Sequence, residues 1–221
     1  MSGFLVLLNR ELAINFLDLK TLITNLIFFI LSVFIFLLSF SNDIKILQSY
    51  FHCVIWVVFL FSVVFSTEQF FESDFKDGSL KELITTGYSP LDIILSKFLG
   101  VLVMILLPIL IIFPILIYVI DSNYFLYKSL IKSIILGGPS IILINLIGQI
   151  LLANVKKNKI LLFILIVPFY IPILIFGIGA TELEIIEKSP DKNFFILIGL
   201  FMITLSISLI TGKLAMEELN N

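Results

Sequence analysis

The sequence has few of the side chains that carry enzymatic or metal chemistry. It contains one cysteine, so no disulfide can form within the chain. It contains one histidine, which rules out the usual His/Cys zinc spacing, and a Ser/His/Asp triad is not expected because this histidine lies in a long apolar stretch. The phosphate-loop motif Gly-x-x-x-x-Gly-Lys-Ser/Thr is also missing, so the chain cannot hold ATP in the usual way. We therefore predict that the protein is not an enzyme by itself.

Charge is scarce as well. Only 14% of residues are charged and 60% are hydrophobic, whereas soluble domains carry roughly 25% charged residues. A membrane-spanning helix needs about 20 apolar residues, and six stretches qualify: 21–40, 47–66, 98–120, 130–154, 161–180 and 194–216. These runs are continuous and do not alternate, which excludes β-barrel patterning. We predict an all-α membrane protein with a single transmembrane domain over residues 1–221.

The distribution of basic residues predicts the orientation of these spans. If the amino terminus is cytoplasmic, nine Lys and Arg residues fall inside and five outside. The strongest local signal is the Lys156-Lys157-Asn158-Lys159 turn between the fourth and fifth spans. We predict that both termini are cytoplasmic, in the inner membrane of a bacterium.

Residues 2–19 precede the first span and show apolar side chains at helical spacing. The apolar stripe consists of Leu5, Leu8, Leu12, Phe16 and Leu19, with Glu11, Asn15 and Asp18 to one side. This pattern favours an amphipathic helix lying along the inner membrane surface. The alternative is a cytoplasmic extension of the first span.

A polar segment, residues 67–97, separates the second and third spans. Glu68, Glu72 and Asp74 are expected to continue the second span beyond the membrane, and Asp77-Gly78 to end it. The Ser79-Leu80-Lys81-Glu82 sequence fits a capping box. Gly87 is expected to end the new helix in the left-handed conformation, and Pro90 to begin the next.

This segment is therefore predicted to form a short helix over residues 79–86, connecting the two spans. We expect it to be a docking surface for a cytoplasmic partner. Leu80, Leu83 and Ile84 would be its buried anchor in a groove of that partner, with Asp74, Asp77 and Glu82 at the rim. The alternative is a helix that only rests on lipid headgroups.

Prolines and polar residues occur inside the predicted spans. Pro168 and Pro172 lie four residues apart in the fifth span and are followed by Gly177. Because proline removes a backbone hydrogen bond, these residues are predicted to kink or open the helix, as a gate or as a bend that only shapes the bundle. In the fourth span, Asn145 and Gln149 share a face; they would line a polar path or stabilise helix packing.

His52 and Cys53 are adjacent near the outer end of the second span. A histidine can ligate haem iron, whereas a lone histidine at a membrane interface is more often hydrogen-bonded or solvated. One chain has no second histidine for a bis-histidine haem site, so we expect no metal and no cofactor bound by this chain.

Two motifs resemble a known family. The segment from Glu68 through Asp77-Gly78-Ser79-Leu80-Lys81-Glu82-Leu83 to Lys97 is similar to the inner loop of membrane subunits of ABC-2-type exporters. The Gly138-Pro139-Ser140 sequence and the run from Pro168 to Gly177 resemble the CcmB family, the membrane components of the haem exporter of cytochrome c maturation.

The resemblance implies a membrane subunit of an ATP-driven ABC transporter complex, with haem as cargo or a haem-loaded chaperone released outside. It implies a CcmA-like ATPase that binds ATP, a CcmC-like haem-handling subunit with its small companion, and two copies of this chain. No nucleic-acid partner is expected. The alternatives are an exporter subunit for another substrate, and a scaffold that transports nothing and transmits ATPase motion to a haem chaperone.

Overall fold

A computed structural model describes residues 2–39, 44–120, 124–154 and 159–219. In these ranges all regular secondary structure is α-helical. The helices are α1 (Ser2–Leu17), α2 (Leu19–Ser39), α3 (Ile44–Lys76), α4 (Ser79–Thr85), α5 (Pro90–Ile120), α6 (Tyr124–Asn154), α7 (Lys159–Ile185) and α8 (Asp191–Leu219).

Six of these helices contain segments long and apolar enough to cross a membrane. The segments are Lys20–Ser39, Ser49–Thr67, Pro90–Leu116, Tyr127–Leu151, Ile166–Ile185 and Asp191–Met216. The prediction of an all-α membrane protein with six spans, one helix before them and one short helix between the second and third is confirmed. The Lys156–Asn158 part of the basic turn lies outside the described residues.

Helix α6 lies at the centre of the bundle. It packs against α3, α5, α7 and α8, and 67% of its apolar segment is buried, against 17% for α2 and for α8. Small residues allow this close packing: a Cβ atom added at Gly138 would lie 2.9 Å from Phe59 Cζ. The faces of α2 and α8 that remain exposed are apolar, as expected for surfaces that meet lipid.

Helix α1 is separate from α2 and packs against α5. Asp18 lies between the two helices, and its Oδ1 accepts a hydrogen bond from the Thr21 amide at 3.3 Å, which caps α2. Leu5 and Phe16 of the apolar stripe are more than half exposed. Glu11 and Asn15 instead lie on the inward face and are buried there with Leu7, so the face of α1 that contacts the protein includes these two polar side chains.

Two glycines delimit α4. Gly78 (φ 71°) lies between α3 and α4, and Gly87 (φ 89°) follows the end of α4; both have left-handed conformations. The predicted helix break at Gly78 and the predicted cap at Gly87 are therefore confirmed. The capping box is not: Gly78 occupies the N-cap position, and Ser79 is already the first helical residue. The reason is that the left-handed turn at Gly78 makes this glycine the N-cap, so α4 begins one residue earlier than a capping box with Ser79 at the N-cap would require.

The left-handed glycine at the end of α4 gives a stability prediction. At Gly87 an added Cβ atom would meet no atom within 4 Å, so only the positive φ opposes substitution. We expect Gly87→Ala to destabilise α4 and its turn by about 1–2 kcal/mol. Gly87→Asn should cost less, since asparagine tolerates this conformation. Amide hydrogen exchange of residues 79–88 measures the difference; equal protection in the two variants would contradict it.

Candidate partner-docking site

The apolar face of α4 packs inside the chain. Leu80 and Leu83 are 2% and 9% exposed, and Ile84 is half-buried against the same hydrophobic core. This differs from the expectation that these three residues form the anchor in a partner's groove. The physical reason is that α4 packs against the end of α3, so burial within the chain already removes this face from water.

The other face of α4 is exposed and polar. Asp77, Gly78, Lys81 and Glu82 are exposed, as are the two threonines that end the helix. Thr85 and Thr86 donate their hydroxyl groups back to carbonyl oxygens of the helix, at 2.9 Å in each case from the Glu82 carbonyl. The exposed surface of α4 is therefore charged and polar, and its apolar side is buried in the chain. The side chains of Glu68, Glu72 and Asp74 lie outside the described part of the chain.

The start of α1 lies beside the turn that follows α4. A Cβ atom added at Gly3 would lie 3.6 Å from Tyr88 Cε1, which places the amino-terminal turn of α1 against this connection. Farther along, α1 crosses α5 closely: a Cβ atom at Gly100 would lie 2.9 Å from Asn15 Nδ2 and 3.2 Å from Glu11 Cβ. Helix α1 therefore packs against both the turn that follows α4 and the first part of α5.

A buried ion pair holds this crossing together. Lys97 Nζ lies 3.3 Å from Glu11 Oε2, and the two residues are 3% and 5% exposed. Arg10 Nη1 also donates to Glu11 Oε1 at 2.7 Å from the partly exposed edge of the site. One carboxylate thus compensates two cations, one of them fully removed from solvent. The arrangement ties α1 to α5 through charge as well as packing.

The residues proposed to line a path in the fourth span lie in different environments. Asn145 is buried, and its Nδ2 donates to the Ile141 carbonyl of the same helix at 3.3 Å. Gln149 is half-buried. The observed bond of Asn145 is that of a packed side chain, and a role for either residue in lining a path stays a prediction.

Helix α7 continues as an α-helix through Pro168 and Pro172. Pro168 is exposed on the surface of the single chain and Pro172 is half-buried. Gly177 differs from these prolines, because a Cβ atom added there would clash with Trp56 Cζ2. The tryptophan ring of α3 therefore packs directly on the α7 backbone. Kinking or gating by these residues stays a prediction, while the contact with Trp56 is a packing role that the sequence did not suggest.

Near the start of α3, the side chains of His52 and Cys53 lie close to that of Glu182 of α7. His52 Nε2 lies 3.8 Å from Glu182 Oε1 and 3.5 Å from Cys53 Sγ. His52 is buried, whereas Glu182 is exposed. The sequence carried one signal for this meeting: under the predicted topology, the start of the second span and the end of the fifth lie on the same side of the membrane.

The described structure defines the class of protein: a polytopic α-helical membrane protein with six apolar spans and a short connecting helix at one end of the bundle. The chain belongs to the CcmB family, since the family described as "CcmB protein" matches residues 2–217.

Curated relatives agree with this assignment over most of their length. A "Heme exporter protein B" of Haemophilus influenzae is 31% identical over 179 residues, which is 81% of each chain. The protein of the same name from Pseudomonas aeruginosa is 28% identical over 205 residues, 93% of this chain and 92% of the relative. That of Bradyrhizobium diazoefficiens is 24% identical over 209 residues, 94% of each. The similarity thus includes the spans and the connecting helix.

Proposed function

We propose that this chain is the membrane subunit of an ATP-driven haem export complex that serves cytochrome c maturation. The observation that carries the proposal is the family match over residues 2–217, with relatives named "Heme exporter protein B" aligned over almost their whole length. Energy comes from a separate CcmA-like ATPase, because this sequence has no phosphate loop. Haem, or a chaperone loaded with haem, is the cargo.

The ATPase docks on the exposed face of α4. Supporting this, α4 is a short helix whose apolar side is buried in the chain, and the charged residues Asp77, Lys81 and Glu82 at and beside it are exposed. Because Leu80 and Leu83 are buried in the chain, they act as the base that holds α4 in place, and Ser79 begins the helix. Force from the ATPase then reaches α3 and α5, the two spans that α4 connects.

The arrangement in the membrane follows the distribution of basic residues. Both termini and α4 lie on the cytoplasmic side of the bacterial inner membrane, where the ATPase has its nucleotide. The exposed apolar faces of α2 and α8 leave room for further membrane subunits: a second copy of this chain, a CcmC-like haem-handling subunit and its small companion.

One observation favours the scaffold alternative over passage of haem through the middle of a single chain. Trp56, Phe59 and Phe113 are fully buried between the central helices. Glycines pack on two of these rings at distances that leave no room for a methyl group: Gly177 and Gly137 on Trp56, and Gly138 on Phe59. A bundle so packed fits transmission of ATPase motion, or a route between subunits.

The proposal is tested in a strain that lacks this gene. We expect the deletion to abolish covalent haem in c-type cytochromes and the wild-type chain to restore it. The double variant Asp77→Lys/Glu82→Lys should lower the yield of co-purified ATPase about tenfold, as expected when charged contacts at an interface are reversed. It should fail to restore covalent haem, although the chain is inserted at its normal level.

The matched control is Glu184→Lys/Glu187→Lys, which makes the same charge change at the opposite end of the bundle and should leave ATPase binding unchanged. If the α4 variant retains the ATPase, the docking proposal is wrong. If the deletion leaves c-type cytochromes intact, the proposed function itself is wrong. Leu83→Asp is unsuited to this test, because a buried charge would disturb the chain before any partner binds.

A further inference from the structure

Three metal-ligating side chains converge where α3 and α7 meet. His52 and Cys53 lie in the first turn of the apolar segment Ser49–Thr67, and Glu182 lies near the end of the segment Ile166–Ile185. One ligand atom from each residue lies within 4.8 Å of the other two. Because the histidine and the glutamate come from the second and fifth spans, their meeting is a product of the fold.

Two of the three distances between ligand atoms are close to those of a tetrahedral ion, and the third is within 4.8 Å. With metal bonds of about 2.0–2.3 Å, neighbouring ligand atoms of a tetrahedral site lie roughly 3.3–3.7 Å apart. Cys53 Sγ and His52 Nε2 are separated by 3.5 Å, which already satisfies this requirement. His52 Nε2 and Glu182 Oε1 are separated by 3.8 Å, slightly more than the ideal value.

The side chains of His52 and Glu182 differ in exposure to solvent, and this difference suits metal binding. The side chain of His52 is 5% exposed and so is held by packing, whereas that of Glu182 is 60% exposed. A small rotation of the glutamate closes the remaining distance without moving a helix. Its exposure also gives an ion a way in from solvent.

The donor set selects the kind of ion. An imidazole nitrogen and a thiolate favour zinc and similar borderline ions over magnesium or calcium, which prefer oxygen ligands. Three protein ligands leave the fourth position of a tetrahedral site to water. We propose that His52, Cys53 and Glu182 bind one Zn²⁺ ion, with the Cys53 thiol losing its proton to solvent. Such an ion links α3 to α7, and the inference does not depend on the proposed haem export function.

Cobalt is the probe, because a Co²⁺–thiolate bond gives a charge-transfer absorption band, whereas Zn²⁺, a d¹⁰ ion, is spectroscopically silent. The full chain, purified in detergent and stripped of metal, is titrated with Co²⁺. We expect one Co²⁺ per chain, a band due to Cys53, and loss of that band when Zn²⁺ is added, since zinc binds such sites more tightly. Cys53→Ser should remove the band.

The second variant is Glu182→Gln, which keeps the shape of an exposed side chain and removes its charge. It should weaken cobalt binding about tenfold or more, at least the effect of losing an outer-shell partner. Glu184→Gln is the matched control on the same helix end and should bind cobalt like the wild type. Emission of the single tryptophan, Trp56, reports whether each variant is folded.

Three results would overturn the proposal: no thiolate band in the wild-type chain, a band that persists in Cys53→Ser, or equal cobalt affinity in Glu182→Gln and the wild type. Any of these would leave the cluster as a hydrogen-bonded histidine between two helices. Because the readout is metal binding by the isolated chain, failure here is distinguishable from failure of the haem export proposal.

Discussion

Glu11→Gln is expected to lower the free energy of unfolding by about 3–5 kcal/mol, the cost of breaking a buried ion pair from one side. The substitution keeps the shape of the side chain but removes the carboxylate that lies 3.3 Å from Lys97 Nζ, and Lys97 is only 3% exposed. Unfolding of the purified chain in mixed detergent micelles, followed by the emission of Trp56, measures the change.

The geometry of the pair predicts an asymmetry between its members. Lys97→Met should cost less than Glu11→Gln, because Arg10 remains 2.7 Å from the Glu11 carboxylate and still compensates it. The double variant Glu11→Gln/Lys97→Met should recover more than half of the loss, since it removes the buried lysine charge together with the carboxylate that it contacts.

Lys188→Met is the control for loss of a lysine, because this side chain is exposed, and it should change stability by less than about 0.5 kcal/mol. If Glu11→Gln falls within the same limit, the carboxylate does not hold α1 on α5. If the double variant is as unstable as the sum of the single variants, the two residues act independently.

The spans and α4 were predictable from the sequence because their signals are local. A run of apolar residues determines a membrane-spanning helix by itself, and Gly87 ends α4 whatever surrounds it. The direction of the apolar face was not predictable in the same way. Leu80 and Leu83 had to be buried somewhere, and only the packing of α4 against α3 shows that they are buried within the chain.

The long-range pairs were not predictable from local signals at all. Glu11 and Lys97 are 86 positions apart, and because charged residues normally stay at the membrane surface, no local pattern predicts that these two are buried together. Their mutual compensation is what allows both to be buried. The sequence groups Gly177 with Pro168 and Pro172 as a gate or a kink, whereas its contact with Trp56 depends on how α3 and α7 cross.

Gly177→Ala is the second substitution with a large expected effect. An added Cβ atom would clash with three atoms of the Trp56 ring, namely Cζ2, Cε2 and Cη2, and the ring cannot retreat easily. Trp56 Cη2 would also lie only 2.9 Å from a Cβ atom at Gly137 of α6. Overpacking of this kind costs about 1–3 kcal/mol. The measurement is unfolding in mixed micelles, with loss of secondary structure as the signal.

Gly199→Ala is the matched control, because a Cβ atom there would meet nothing within 4 Å. It should be neutral or stabilise the chain by up to about 1 kcal/mol, as alanine favours helices over glycine. Trp56→Leu combined with Gly177→Ala should cost less than the sum of the two single variants, since the smaller side chain makes room for the methyl group.

This double variant separates packing from gating. If Gly177 is a hinge of the gate, its flexibility matters in itself, so Gly177→Ala should abolish covalent haem formation whether residue 56 is tryptophan or leucine. If its role is to make room for the ring, Trp56→Leu should restore the activity that Gly177→Ala removes. We expect the second result, because a steric conflict depends on both partners, whereas the backbone freedom of a glycine depends on the glycine alone.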